Sequence, residues 1–365
     1  MPPEGTQREA GVRPVRASSK PVRYRLPDEP PASLPRPSLL GRIDRALARL
    51  LVRTAARFYL RKPDVAELLT FKIRSLRGVH DAVRNELAFR RKSDRGYRLT
   101  SVNIEITNAC NLGCTMCPVN TTMKRPKQMM PFDTFRRILD ENPGLEFVLP
   151  FQWGEPMLHK DFYRIVAHAR ARGIPVLATT NGTFLESEEE CERLARAGLE
   201  RITFSSDGIG DTHTKIRGYS WEKLKANVEQ FRRVRDRVGS TTRIDVSMVM
   251  MGETTADLER YRNAWRGIAD RIQVIPLLTD GKREHACREL WRGSVVVLAD
   301  GTVTTCCVDS EGELAIGHID DGPLESVWNG PRMRELRRQH RSQSFPGPCA
   351  SCDEYEHDAV SKRFQ

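Results

Sequence analysis

No stretch of this 365-residue chain approaches the ~18 consecutive apolar residues that a membrane-spanning helix needs. The first 37 residues lack the apolar core of a secretory signal, so the reading is of a cytoplasmic protein. Aromatic residues are few, at 7%, and no basic motif is interleaved with them in the way nucleic-acid readers require. There is no internal repeat, which sets repeat architectures aside. Hydrophobic residues make up 39%, ordinary for a globular chain, and this excludes the fully disordered and fibrous classes. Histidine is scarce as well, and none stands near the first cysteine cluster. Nine cysteines are present, an odd number in a long chain of this kind, so metal or cluster ligation is favoured over a disulfide framework.

Basic charge is concentrated at one end. Residues 1–98 hold 23 Lys+Arg against 10 Asp+Glu, whereas residues 99–365 hold 36 against 38. The net charge of +11 therefore belongs to the N-terminal quarter. Residues 1–37, rich in Pro and Arg, read as a disordered tail that cannot bury enough surface to offset chain entropy. Residues 38–98 read as a basic helical extension. Leu40, Ile43, Leu47, Leu50, Leu51, Thr54 and Phe58 recur at helical spacing, with Arg42, Arg45, Arg49 and Arg53 on the roughly opposite face, and Pro63 ends the pattern. A second helix is expected over about 64–91. These helices are expected to pack against the body with a solvated arginine face. An anionic membrane surface, an acidic partner or nucleic acid is the alternative for that basic face.

From residue 99 to 282 short strand and helix patterns alternate, the signature of βα units on a parallel sheet. Strands are expected over 102–107, 147–152, 175–180, 201–205, 243–250 and 272–277, with helices over 132–141, 160–172, 188–197, 221–237 and 256–268. Six such units give an α/β fold, a partial (β/α)6 barrel. After Leu278 the alternation gives way to short Gly- and Cys-containing turns, so residues 283–365 are expected to form a smaller second domain.

Directly after the first strand stand Cys110, Cys114 and Cys117 in a C-x3-C-x2-C loop followed by Pro118. Three thiolates so close in sequence suit one face of an iron–sulfur cube and leave one iron open, and a zinc loop is the other reading. Gly154-Glu155-Pro156, Thr180-Asn181-Gly182 and Ser205-Ser206-Asp207-Gly208 each follow the end of a successive predicted strand, where barrels of this kind assemble their sites. Singly each is a weak turn signal; together they are placed as a set.

On these motifs the chain resembles a radical S-adenosylmethionine (SAM) enzyme over roughly residues 100–280. The resemblance implies that Cys110, Cys114 and Cys117 hold a [4Fe–4S] cluster whose open iron is chelated by SAM. It also implies that one electron cleaves SAM to a 5′-deoxyadenosyl radical, which abstracts a substrate hydrogen. It places Met116 beside the adenine, Gly154 and Glu155 at the SAM amino group, and Thr180 and Asn181 after the third strand. Ser205 and Asp207 fall near the ribose, and Arg217 faces the SAM carboxylate. Trp153 stands where the family has a glycine.

Cys287, Gly301, Cys306, Cys349 and Cys352, with a C-x13-G-x4-C spacing and a later C-x2-C, resemble the SPASM domain of the same enzymes in its shortened "twitch" form. This implies one auxiliary [4Fe–4S] cluster on Cys287, Cys306, Cys349 and Cys352, with a four-cysteine zinc site as the alternative. Cys191 reads as a small buried hydrophobe. Cys307 reads as a substitute ligand, a packed residue, or a hydrogen donor to a substrate radical. The expected substrate is a hydroxylated small molecule, a sugar or aminocyclitol, that is dehydrogenated or epimerised. Modification of a ribosomally made peptide is the alternative, and a non-catalytic zinc-binding or nucleic-acid-binding module the distant one. A reductant such as flavodoxin or ferredoxin is expected as partner.

Overall fold

The computed structural model describes residues 38–55, 75–277 and 281–352. The expected tail over 1–37 and the first part of the expected second helix lie outside the described residues. Helix α1 (Leu39–Ala55) and helix α2 (Leu76–Arg90) come first and touch each other. Ser75 caps α2 by accepting the Gly78 N–H, and the Leu76 N–H donates to Asp44 of α1.

The apolar side of α1 does not pack as expected. The helix buries Ala48 and Val52, whereas Leu39, Leu40, Ile43, Leu47, Leu50 and Leu51 stand 43–77% exposed. Small and β-branched residues make the close contact, and the leucine sector points elsewhere.

The barrel follows. Strand β1 (Ser101–Ile104), helix α3 (Phe132–Glu141), β2 (Phe147–Leu149), α4 (Phe162–Ala171) and β3 (Leu177–Thr180) make its first half. Helix α5 (Glu188–Ala197), β4 (Arg201–Ser205), α6 (Asp211–Arg217), α7 (Trp221–Arg237) and β5 (Arg243–Met250) continue it. Two short helices, α8 (Gly252–Thr255) and α9 (Leu258–Trp265), lead into β6 (Arg271–Pro276).

All six strands run parallel. β1 pairs with β2, a single bridge from Val148 to Val176 joins β2 to the segment entering β3, and β3 through β6 pair in order. Among the described residues β6 pairs only with β5, so the barrel stays open. The strands are buried on both faces, with Ile202, Thr203 and Phe204 of β4 and Ile244, Asp245 and Val246 of β5 all enclosed, as parallel sheets under helices require. Each outer helix lays one apolar stripe on them, for example Leu224, Val228 and Phe231 of α7. Cys191 is fully buried on α5.

Beyond Leu278 the chain is more regular than the sequence suggests. Strand β7 (Ser294–Val297) adds in parallel to the free edge of β1, and β8 (Thr302–Thr304) and β9 (Ala315–His318) continue antiparallel. Helices α10 (Leu324–Trp328) and α11 (Pro331–Arg341) close the region. Among the short turns expected here stand three strands and an eleven-residue helix that the sequence reading did not place. The buried face of α11 combines Met333 and Leu336 with Arg337 and His340, so its apolar period is half masked by polar residues. The C-terminal region thus shares a sheet with the barrel. Residues 93–99 bind it as well, Ser93 O accepting the Trp291 indole N–H and the Leu99 N–H donating to Glu325.

Candidate functional site

The loop after β1 carries the three cysteines and is fastened to two neighbouring strand ends and to the end of α6. The Glu155 N–H after β2 donates to Ala109 O at 2.8 Å. After β3, Asn181 Nδ2 donates to Asn111 Oδ1 at 2.8 Å, and Asn111 Nδ2 donates to Thr183 Oγ1 at 2.8 Å. At the end of α6 the Ile216 carbonyl accepts the Thr115 N–H at 2.9 Å, and the Cys114 thiol approaches Arg217 O at 4.0 Å. The structure therefore brings together the segments that the sequence places after successive strands.

Gly154 shows why the second motif needs its glycine. Its φ is +90°, and a Cβ there would lie 2.6 Å from Ala109 O and 2.7 Å from Thr107 O. Backbone meets backbone at this point, so no side chain fits. Trp153 is half-buried, and its indole N–H lacks a hydrogen-bond partner among the described residues.

Glu155 is 2% exposed and acts as a brace. Its carboxylate accepts the Asn181 N–H at 2.7 Å, the Thr180 hydroxyl at 2.8 Å and the Met157 N–H at 3.0 Å. Burial nevertheless pushes its carboxyl up to about 7, the hydrogen bonds opposing that rise. Asp207 is fully buried and likewise spent locally. It accepts the Val249 N–H at 2.6 Å and two donors from Arg217 at 2.7 and 2.8 Å. Arg217 therefore faces Asp207. Ser205 ends β4, the buried Ser206 and Tyr261 hydroxyls neighbour each other, and His213 Nε2 lacks a partner among the described residues. The sequence reading did not single out His213 or Tyr261; both sit on helix faces that read as core. Met116 is half-buried within the cysteine loop.

The donor set at this mouth is three soft sulfurs. Burial raises the pKa of Cys110, Cys114 and Cys117, and neighbouring cysteines add to the rise in each case, which places the three within electrostatic reach of one another. The Arg217 charge works in the opposite direction on Cys114 and Cys117. Thiolate-only donors of this kind fit an iron–sulfur cluster. Among the described residues no three His, Cys, Asp or Glu side chains close on a single metal ion.

The second cysteine set lies in the C-terminal region. Cys287 precedes a 3-10 turn, and its N–H donates to His340 Nδ1 at 3.1 Å. Gly301, with φ +93°, begins the turn into β8 where a Cβ would meet the His318 ring at 2.5 Å. Cys306 follows β8, and Cys349 and Cys352 bracket a tight turn. Burial raises Cys287 and holds Cys349 at about 12, and each also feels Cys306. Arg283, 5% exposed, donates from Nη2 to Cys352 Sγ at 3.0 Å and from Nε to Cys349 O at 3.2 Å. Cys306 thus neighbours both Cys287 and Cys349, Cys349 also feels Cys352, and a buried cation stands beside them, a donor set that suits a fully protein-ligated anionic cluster.

Cys307 is exposed, and its thiol lies against that of Cys306, whose pKa it raises foremost. The Cys307 carbonyl accepts Gln152 Nε2 at 2.5 Å, which ties the second set to the end of β2 beside Trp153 and Gly154. A second link runs through Arg125, downstream of Cys117. Its guanidinium pairs with the buried Glu105 at 2.8 and 2.9 Å and donates to Ser310 O, and Glu105 also accepts the Ala299 N–H.

Residues 104–264 match the model of the Radical SAM superfamily, and residues 287–353 match that of SPASM, an iron–sulfur cluster-binding domain. The chain is 24% identical over 305 residues to the PqqA peptide cyclase of Granulibacter bethesdensis, covering 70% of this chain and 79% of that protein. It is 26% identical over 302 residues to the mycofactocin maturase MftC of Mycobacterium ulcerans, covering 69% and 79%. Among solved structures, Streptococcus suis SuiB bound to S-adenosylmethionine superposes with a TM-score of 0.56 at 14% identity, over 78% of this chain and 79% of that one. That last likeness is one of fold.

Proposed function

We propose that this chain, which belongs to the radical SAM superfamily and ends in a SPASM iron–sulfur domain, modifies a ribosomally made peptide by removing a hydrogen atom from one of its residues. The observation that carries the reading is the likeness to a peptide cyclase across 79% of that relative's length. Dehydrogenation or epimerisation of a hydroxylated small molecule, the first expectation from sequence, becomes the second reading.

Its cofactors are a catalytic and an auxiliary [4Fe–4S] cluster and SAM. When bound, they supply a 5′-deoxyadenosyl radical on one-electron reduction, the protein's part being to bind and orient. We assign the catalytic cluster to Cys110, Cys114 and Cys117 and the auxiliary one to Cys287, Cys306, Cys349 and Cys352. Gly154 lets the backbone after β2 approach the cysteine loop, so that its polar groups can meet SAM. Glu155 holds the Thr180 and Asn181 loop in place for the same purpose. Asp207 and Arg217 fix the floor beneath Ser205, and Met116 borders the adenine. To Cys307, an exposed thiol, we assign the return of a hydrogen atom to a substrate radical. A low-potential carrier of the flavodoxin or ferredoxin type supplies the electron, and a cytoplasmic setting suits both thiols and carrier. An anionic partner belongs on α1, whose exposed leucines stand beside Arg42, Arg49 and Arg53.

Anaerobically reconstituted protein given SAM and dithionite is expected to form 5′-deoxyadenosine. The triple variant Cys110→Ala, Cys114→Ala, Cys117→Ala is expected to form none while keeping about half the iron, if each site holds one four-iron cluster. Product from the triple variant refutes the site. Deuterium passing into 5′-deoxyadenosine from a labelled peptide, and not from labelled sugars, decides the substrate class.

A further inference from the structure

A buried positive charge needs a negative one nearby, or it costs several kcal/mol. Arg283 is such a charge, and its surroundings hold an unusual counterpart. All three of its nitrogens donate: Nε to Cys349 O at 3.2 Å, Nη1 to His285 O at 3.4 Å and Nη2 to Cys352 Sγ at 3.0 Å. The backbone on either side is pinned to the same loop, with the Gly281 N–H on Ser351 O at 2.7 Å and the Arg283 N–H on Ala350 O at 3.1 Å. Among the described residues no carboxylate pairs with this guanidinium; the negative groups that act on it are the sulfurs of Cys287, Cys352 and Cys349. The wholly buried Arg337 also has no carboxylate of its own, but it donates to Leu290 O, Asp94 O and Asn329 Oδ1 and to no sulfur. Arg125 and Arg217 each have a carboxylate of their own, Glu105 and Asp207.

We propose that Arg283 is the built-in countercharge of the auxiliary cluster site: its buried guanidinium, donating to Cys352 Sγ, offsets the negative charge gathered by the four cysteines and raises the potential at which that site accepts an electron. The inference rests on the assignment of Cys287, Cys306, Cys349 and Cys352 to that cluster. A four-cysteine iron–sulfur group is anionic and becomes more so by one charge when reduced. A fixed cation beside one sulfur stabilises the reduced form more than the oxidised form. Hydrogen bonding to a ligating sulfur acts in the same direction. Arg283 is thus a positioning and tuning residue, since it acts through the cysteines.

The test uses reconstituted full-length protein and an EPR-monitored redox titration with dithionite. The cysteine-to-alanine triple variant at 110, 114 and 117 identifies the auxiliary signal. If that variant holds no iron, the auxiliary assignment itself fails, a result distinct from any failure of the role given to Arg283. Arg283→Gln is expected to keep its auxiliary iron and to shift the auxiliary midpoint to lower potential. Arg283→Lys, which keeps the charge but not the three-way fork, is expected to stay closer to the native midpoint than the glutamine variant. An unchanged midpoint in a fully loaded Arg283→Gln overturns the proposal. So does a lysine variant shifted as far as the glutamine one. Loss of auxiliary iron in both variants shows a purely structural role and overturns it too.

Discussion

Glu155 gathers the Asn181, Thr180 and Met157 donors onto one carboxyl in a site that penalises its charge. Folded, it titrates at about 7; unfolded, it returns to the ordinary value of 4.5. The folded state therefore binds the proton more tightly. Its contribution to stability is fully present below the unfolded pKa and is lost as pH rises through the folded one. The linkage is on the order of 3 kcal/mol across that interval. Denaturant midpoints are expected to fall for the native chain between pH 5 and 7. They should run flatter for Glu155→Gln, whose side chain carries no charge to bury. A parallel fall in both proteins would assign the pH dependence to other groups. The Gly-Glu-Pro motif was legible as a motif, but the direction of its carboxylate was not. Spacing cannot tell that Glu155 turns to the β3 loop, or that Arg217 turns to Asp207 at 2.7 Å.

Helices α5 and α7 were legible to their ends because they carry their own punctuation. Ser187 and Ser220 cap their N-termini, and Gly198 ends α5 in the left-handed conformation. Helices α6 and α11 carry weaker marks. Their buried faces include His213 and Arg217 in one, Arg337 and His340 in the other, so apolar periodicity under-reports them. In α11 the Arg337 guanidinium is hidden only because Leu290 O, Asp94 O and Asn329 Oδ1 accept from it, partners no local pattern displays. Helix α1 fails in the opposite sense, since its period was plain but its apolar side found no core. Exposed leucines beside arginines make a surface suited to anionic lipid, where apolar burial and charge attraction add. The full chain is expected to float with phosphatidylglycerol vesicles and not with phosphatidylcholine vesicles. Ile43→Asp with Leu47→Asp is expected to abolish flotation without altering the thermal midpoint, because both side chains already face solvent. Failure to float would leave an acidic peptide segment as the partner of α1.

At the scale of the molecule, a boundary near residue 283 divides the chain by chemistry but not by packing. Strand β7 pairs with β1 over four residues, Ser101 with Ser294 through Ile104 with Val297. Glu105, at the end of β1, is fully buried between Arg125 and the Ala299 N–H. Gly96 sits so close to the Trp328 ring that a Cβ would lie 2.1 Å from it, and Asn329 bonds both the N–H and the carbonyl of Gly96. Removing residues 283–365 would therefore strip an interior strand of its neighbour, open a pairing edge next to the cysteine loop, and leave Glu105 without its Ala299 donor. A chain ending at 282 is expected to lose cooperative unfolding, to aggregate, and to retain little iron at Cys110, Cys114 and Cys117, although none of those cysteines is deleted. Point substitution of Cys287, Cys306, Cys349 and Cys352 leaves β7 in place, so it should spare both the barrel and 5′-deoxyadenosine formation. The contrast separates support by the sheet from support by the auxiliary cluster. A truncated chain that melts cooperatively and still cleaves SAM would show that β1 does not need the strand the C-terminal region gives it.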